Sequence, residues 1–162
     1  MANLAHISRR TFFVTAATYE RRPIFQISRV AEVFIDTLLY YRTHGCYKLH
    51  AFLVMPDHVH LLLSEPIGHK LSTAIQVIKQ RFSRTRTEEY VWEPRYYDHK
   101  VLTQPHFVEK LRYIHLNPVR RGLVDKPGDW KWSSYRFYRT NEPGPVIVTR
   151  GWAKTLNPTL SQ

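Results

Sequence analysis

A single cysteine, Cys46, is all the thiol this chain has, so no internal disulfide can staple it and the cysteine-rich secreted scaffolds are excluded. One thiol fits a reducing cytoplasm, where it serves as a small buried apolar residue. Long apolar runs are missing as well: no segment approaches the roughly 18 residues that a membrane span needs. The short Phe12-Phe-Val14 stretch after Arg9-Arg10 is too brief for a secretion signal and runs straight into Tyr19-Glu20-Arg21-Arg22. No repeat and no low-complexity tract interrupts the chain. Acidic residues are scarce, 13 Asp plus Glu against 24 Lys plus Arg, which leaves a net charge of +11. The reading that follows is a cytoplasmic protein with no membrane partner.

What is present fits a nucleic-acid partner. Excess cations meet phosphates, and an aromatic share of 14% supplies rings that stack on unpaired bases. A basic structural protein of a ribosome would show the same charge, so composition alone does not decide. At 162 residues the chain is most simply one domain with a sizeable core.

Alternation and helical spacing order the elements. Arg10 to Tyr19, rich in Thr, Phe and Val, reads as a strand. From Ile27 to about His44, Val30, Val33, Phe34, Thr37, Leu38 and Tyr41 recur at helical steps, with Ser28 as the expected cap and Gly45 as the stop. Tyr47–Met55 and the run to Leu63 form a hairpin about Pro56-Asp57. A second amphipathic helix is expected from Leu71 to about Arg86, on Leu71, Ile75, Ile78 and Phe82, with Lys79, Arg81, Arg84 and Arg86 on its other sides. Glu93 to Leu102 reads as a strand whose Pro94 lies at an edge or entry position. A third helix is expected from Gln104 to about Leu116, where Pro118 biases the chain out of helix. The rest, with Trp130 and Trp132, is turn-rich and without period. The order β, α, β, β, α, β predicts an α+β, ferredoxin-like antiparallel sheet with helices on one face, plus an extra C-terminal helix and tail.

Two stretches carry chemistry. In Met55-Pro-Asp-His-Val-His-Leu-Leu-Leu63, side chains alternate, so His58 and His60 project from one face and Val59, Leu61 and Leu63 from the other. Paired imidazoles on one face are a metal-ligand arrangement, although two satisfied core histidines would show the same spacing. Asp57 is expected to point away from His58 and to serve the turn. In the second stretch, Tyr113 and Asn117 are four apart, one helical turn, so a nucleophile and an amide ligand can share a face. Spacing alone leaves open that Tyr113, one of ten tyrosines, merely packs, and that Asn117 only closes a helix.

Four collinear blocks narrow this. Val54-Met-Pro-Asp-His-Val-His-Leu-Leu-Leu63, Trp92-Glu-Pro-Arg-Tyr-Tyr-Asp-His99, Tyr113-Ile-His-Leu-Asn-Pro-Val-Arg-Arg-Gly-Leu-Val124 and Trp132-Ser-Ser-Tyr135 together resemble the REP-associated tyrosine transposases. These are domesticated relatives of the single-tyrosine transposases in the HUH nuclease superfamily. The resemblance implies a catalytic domain over residues 1–139, a C-terminal tail over 140–162, and a bacterial, nucleoid-associated protein. It implies that His58, His60 and Asn117 hold a divalent ion, Mg²⁺ or Mn²⁺, and that Tyr113 attacks a phosphodiester in single-stranded DNA, leaving a 5'-phosphotyrosine and a free 3'-hydroxyl. Two imidazoles suit Mn²⁺ better than Mg²⁺. A free tyrosine has a pKa of about 10, so it must be activated, and His115 is a weak candidate for that help.

The implied partner is single-stranded DNA carrying palindromic hairpins, bound by a monomer rather than a helix-swapped dimer. Arg9, Arg10, Arg81, Arg84 and Arg95 are candidate contacts to guanine edges or phosphates, with Arg95 alternatively paired to Asp98. Trp92, Trp130 and Trp132 are candidate stacking rings whose default role is core packing. A non-catalytic, repressor-like hairpin-binding protein is the alternative, and it gives no reason for His58, His60, Tyr113 and Asn117 to occur together.

Overall fold

The structure is a computed structural model that describes residues 11–65, 68, 70–140 and 146. Four strands, β1 (Thr11–Ala17), β2 (Lys48–Val54), β3 (His58–Ser64) and β4 (Tyr97–Val101), form one antiparallel sheet in the order β2-β3-β1-β4. That order, with helix α1 (Ser28–Thr43) between β1 and β2 and α2 (Leu71–Ser83) between β3 and β4, is the ferredoxin-like arrangement the element order predicts. Helix α3 (Gln104–Arg120) is the extra C-terminal helix.

Strand β3 is buried at all seven positions, which requires cover on both faces of the sheet. On the face of Val59, Leu61 and Leu63, α1 and α2 close a ring cluster of Phe25, Phe34, Phe82 and Trp92, whose centroids lie 5.3–6.0 Å apart. Rings at such separations add to the stabilisation from area burial alone. Trp92 therefore belongs to the core. The opposite face, with Phe13, His60 and Leu62, is covered by α3 through Phe107, Leu111, Ile114 and Tyr113.

Local departures from the sequence reading have definite causes. Ser28 is the first helical residue of α1; Ile27 holds the cap position and makes no side-chain bond there. Helix α2 ends at Ser83, so Arg84 and Arg86 follow it, and Arg86 grips Glu88. Strand β4 starts only at Tyr97, because Trp92 bridges Thr18 and the Glu93 N–H bonds the Ala17 carbonyl at 3.0 Å, which fixes the chain elsewhere up to Pro94. Helix α3 does not stop at Leu116 but runs through a buried Pro118. Proline lacks an N–H and removes one turn bond, yet N–H groups of Arg121, Gly122 and Leu123 bond back to Asn117, Val119 and Pro118, each at 2.9 Å. Gly122, at φ +73°, then ends the helix in the left-handed region that glycine tolerates.

The segment after α3 holds a short helix, α4 (Tyr135–Thr140), that the sequence did not show. Residues 132–134 cover the free edge of β2: Val54 N–H bonds Trp132 O at 2.9 Å, and Ser134 N–H bonds Phe52 O at 3.0 Å. Capping an open edge in this way prevents strand addition from another chain. Apart from Thr140 and Val146, the expected tail lies outside the described residues. No helix among the described residues is long and apolar enough to cross a membrane.

Candidate catalytic centre beneath the third helix

Strand register puts the two histidines side by side. His58 lies opposite Ala17 and His60 opposite Thr15 on β1, so both rings stand on the face that α3 covers, and both are buried. Each ring is held at Nδ1. His58 Nδ1 is 2.7 Å from Asp57 Oδ1, and His60 Nδ1 is 2.8 Å from Thr15 Oγ1. The two Nε2 atoms then meet at 3.2 Å.

A carboxylate only accepts, so Asp57 fixes the proton of His58 on Nδ1 and leaves a lone pair on Nε2. Thr15 can act either way. When its hydroxyl donates to His60 Nδ1, His60 Nε2–H donates to His58 Nε2 and the pair is satisfied by itself. When Thr15 accepts, both Nε2 lone pairs face one point, where a cation can sit. Two nitrogens bound to one metal at about 2.1 Å each lie a little over about 3 Å apart, which the observed separation meets.

Burial, the largest cause, pushes the His58 ring below its ordinary pKa, against the opposing pull of Asp57. Burial again, followed by the charges of His58, Arg121, Arg21 and Lys110, pushes His60 down to about 3. Both rings are therefore neutral at pH 7, the form that ligates a metal.

Asp57 corrects the sequence reading: it precedes the strand, and its carboxylate turns back onto His58 instead of pointing away. Its second oxygen lies 3.8 Å from Arg21 Nη1. Partners of this kind set the tautomer and orientation of a metal-binding imidazole. Sequence reasoning also missed Thr15, whose role follows only once β1 is known to pair with β3 at that register.

The helix through Pro118 keeps Tyr113 and Asn117 on one continuous element. The Tyr113 ring lies 5.5 Å from His60 and 5.8 Å from Phe13, both edge-on. Lys110 Nζ and Arg120 Cζ lie 5.8 and 5.6 Å from the same ring, so cations flank the tyrosine on both sides along the helix. Asn117 is buried, and its Oδ1 has no hydrogen-bond partner among the described residues. A buried carbonyl oxygen without a donor is costly unless something binds it. Its chemistry fits a cation. No cluster of three His, Cys, Asp or Glu side chains that could hold a metal occurs among the described residues, so an ion between the imidazoles would need oxygen ligands besides, for which the Asn117 amide, on the same helix as Tyr113, is the candidate.

Other candidates fall elsewhere. His115 is fully buried, with Nε2 2.8 Å from Ser134 Oγ, and packs against Tyr135 and Tyr138; it is a core residue. Arg81 stacks on Tyr40 at 3.6 Å, across the α1–α2 junction and away from the histidine face. Arg84 and Arg95 are exposed, and no ion pair joins Arg95 to Asp98. Arg9 and Arg10 lie outside the described residues. Trp130 is half-buried and donates to Val54 O at 3.1 Å; Trp132, also half-buried, has Lys131 Nζ 4.9 Å from its ring. On β4, Tyr97 pairs with Thr15 in register and is 74% exposed, which places a free ring on the histidine face.

Paired imidazoles facing a helical tyrosine, with flanking cations, define a candidate phosphoryl-transfer centre on a ferredoxin-like sheet. The family described as "Transposase IS200 like" matches residues 8–117, a span that includes all four centre residues, and the chain belongs to that family. The REP-associated tyrosine transposase of Escherichia coli K12 is 28% identical over 90 residues, 55% of this chain and 54% of the relative. The chain thus spans about half the length of that curated relative. A solved structure of a REP-associated tyrosine transposase bound to a REP hairpin superposes with a TM-score of 0.74 at 22% identity, covering 89% of this chain and 88% of that one; this likeness shows the shared fold.

Proposed function

We propose that this transposase-family protein is a metal-dependent single-stranded DNA endonuclease and strand transferase acting at palindromic hairpins, with Tyr113 as nucleophile. The carrying observation is the convergence of the two imidazole Nε2 atoms, 3.2 Å apart, on the face where Tyr113 stands 5.5 Å from His60. His58, His60 and Asn117 would hold Mg²⁺ or Mn²⁺, which when bound supplies Lewis-acid polarisation of a phosphoryl oxygen. Lys110 and Arg120 draw the scissile phosphate to the tyrosine and offset its charge.

The Tyr113 oxygen forms a bond to phosphorus as the bond from phosphorus to the 3'-oxygen breaks. The phenol proton passes to solvent, and the departing 3'-oxygen takes one up from solvent to become the 3'-hydroxyl. The phosphodiester energy stays in the 5'-phosphotyrosine, so a 3'-hydroxyl can attack it and rejoin the strand without a nucleotide cofactor. Tyr97 offers its exposed ring to an unpaired base beside the centre. Helix α3 folds onto its own sheet, so tyrosine and histidines come from one chain, which supports action as a monomer. The hairpin-bound solved structure supports a hairpin partner, and with it we infer a protein of the bacterial cytoplasm, at the nucleoid.

A His58→Ala/His60→Ala double variant tests this reading. It is expected to bind a palindromic single-stranded hairpin oligonucleotide as the wild type does and to lose metal-dependent cleavage. Unchanged cleavage would sink the site assignment.

A further inference from the structure

Beside His58 the structure opens into a cleft of about 220 Å³, lined by Arg21, Pro56, Asp57, His58, Arg121 and Leu123 among others. Apart from His58 and Asp57, which it shares with the candidate centre, the proposed chemistry makes no use of it. Two arginines from distant parts of the chain, Arg21 and Arg121, line it, and both lie close enough to the imidazoles for their charge to oppose protonation of either ring.

Arg21 is placed there by a strained turn. Glu20 and Arg21 both hold left-handed backbone angles, φ 54° and 56°, which residues with side chains rarely adopt. Neighbouring bonds enforce them: Thr18 N–H donates to Asp57 O at 2.9 Å, the one Thr18 hydroxyl proton is shared between Arg22 O at 2.7 Å and Asp57 O at 2.9 Å, and Glu20 N–H donates to Glu93 Oε1 at 2.7 Å. Such strain is kept where the surroundings over-determine it, commonly at functional sites. Arg121 arrives differently. It follows α3 directly, its N–H bonding Asn117 O, and its exposed side chain makes no ion pair among the described residues. Asp57, the one acid lining the cleft among the described residues, already has its two oxygens turned to His58 and Arg21.

We propose that this cleft binds the backbone phosphate of the nucleotide next to the scissile bond, between Arg121 and Arg21, with Pro56 and Leu123 against the sugar. The proposal rests on the DNA-cleaving reading and adds to it where the flanking strand is held. Arg121 contributes more than Arg21, because Asp57 partly neutralises the latter. Paired guanidiniums suit a phosphate diester through charge-assisted, forked hydrogen bonds.

The test measures binding of a fluorescein-labelled single-stranded hairpin oligonucleotide by anisotropy across salt concentrations, and Mn²⁺ binding by electron paramagnetic resonance, for wild type, Arg121→Ala and Arg29→Ala. Arg29 serves as the control of equal charge, since its side chain is 77% exposed on α1. Arg121→Ala should weaken DNA binding about tenfold and reduce the salt slope by about 0.7, with Mn²⁺ binding retained and Arg29→Ala little changed. Equal losses in both variants would reduce the effect to general charge and overturn the cleft. Loss of Mn²⁺ binding in Arg121→Ala would show that the residue acts through α3, and would overturn it too. A wild type that binds Mn²⁺ but no oligonucleotide would overturn the DNA-cleaving reading itself, and the cleft with it.

Discussion

Asp57 shows how much a single carboxylate decides at this centre. By holding the proton of His58 on Nδ1, it presents the lone pair that a metal needs. Asp57→Ala is expected to lower Mn²⁺ affinity about 10- to 100-fold, measured by titration calorimetry, while leaving the fold intact because the side chain is part-exposed. Thr15→Val should also lower it, since His60 loses the oxygen that receives its Nδ1 proton. Affinities equal to wild type in both variants would show that the rings orient themselves. At this scale the sequence was partly legible. His58, His60, Tyr113 and Asn117 were singled out by their blocks more than by their spacing, and the structure brings His58, His60 and Tyr113 together on one face. Asp57 and Thr15 were not singled out, because a residue that orients another is defined by a contact, and the Thr15 contact depends on a strand register that no local pattern encodes.

The elements were read well where hydrophobic period is long and poorly where something else fixes the backbone. Helices α1 and α2 and strands β1 to β3 emerged within a few residues, since their apolar faces repeat over two turns or more. Helix α3 outran its expected end because tertiary burial of Pro118 outweighs one lost backbone bond, and α4 is too short to show a period. The end of α3 gives a prediction of its own. Gly122 has φ +73° and no atom within 4 Å of where a Cβ would stand, so Gly122→Ala meets backbone strain without a clash. The variant should lose about 1 kcal/mol of stability in urea, with Mn²⁺ binding unchanged. A neutral substitution would mean that the helix end relaxes out of the left-handed conformation.

Across the whole molecule, burial of imidazoles ties stability to pH. His60 and His115 are both pushed to about 3, burial being the largest cause in each. In the unfolded chain such a ring titrates near 6.5. Between these values the unfolded state binds protons that the folded state refuses, so stability is full above about pH 7 and falls as pH drops toward 3. The slope approaches about 1.4 kcal/mol per pH unit for each ring. Urea midpoints measured with EDTA from pH 7 to 4 should fall accordingly, and His115→Phe should make the decline shallower by that ring's share, with His60 and His58 still contributing; a flat profile in the wild type would contradict the burial of these rings.

The fold as a whole was legible because its β, α, β, β, α, β order has one common antiparallel solution. Which face α3 would cover was not legible from period alone, since the side of β3 with His58, His60, Leu62 and Ser64 is largely polar and is buried all the same. That choice of face is what brings Tyr113 to His60, and the central claim depends on it.

The most direct measurement incubates wild type and Tyr113→Phe with 5'- and 3'-labelled hairpin oligonucleotides in Mn²⁺, Mg²⁺ or EDTA and resolves the products under denaturing conditions. The account predicts a covalent adduct between protein and the downstream fragment in wild type, present with metal, absent in EDTA and absent in Tyr113→Phe. An adduct that persists in Tyr113→Phe, or tight hairpin binding with no cleavage in either metal, would contradict it.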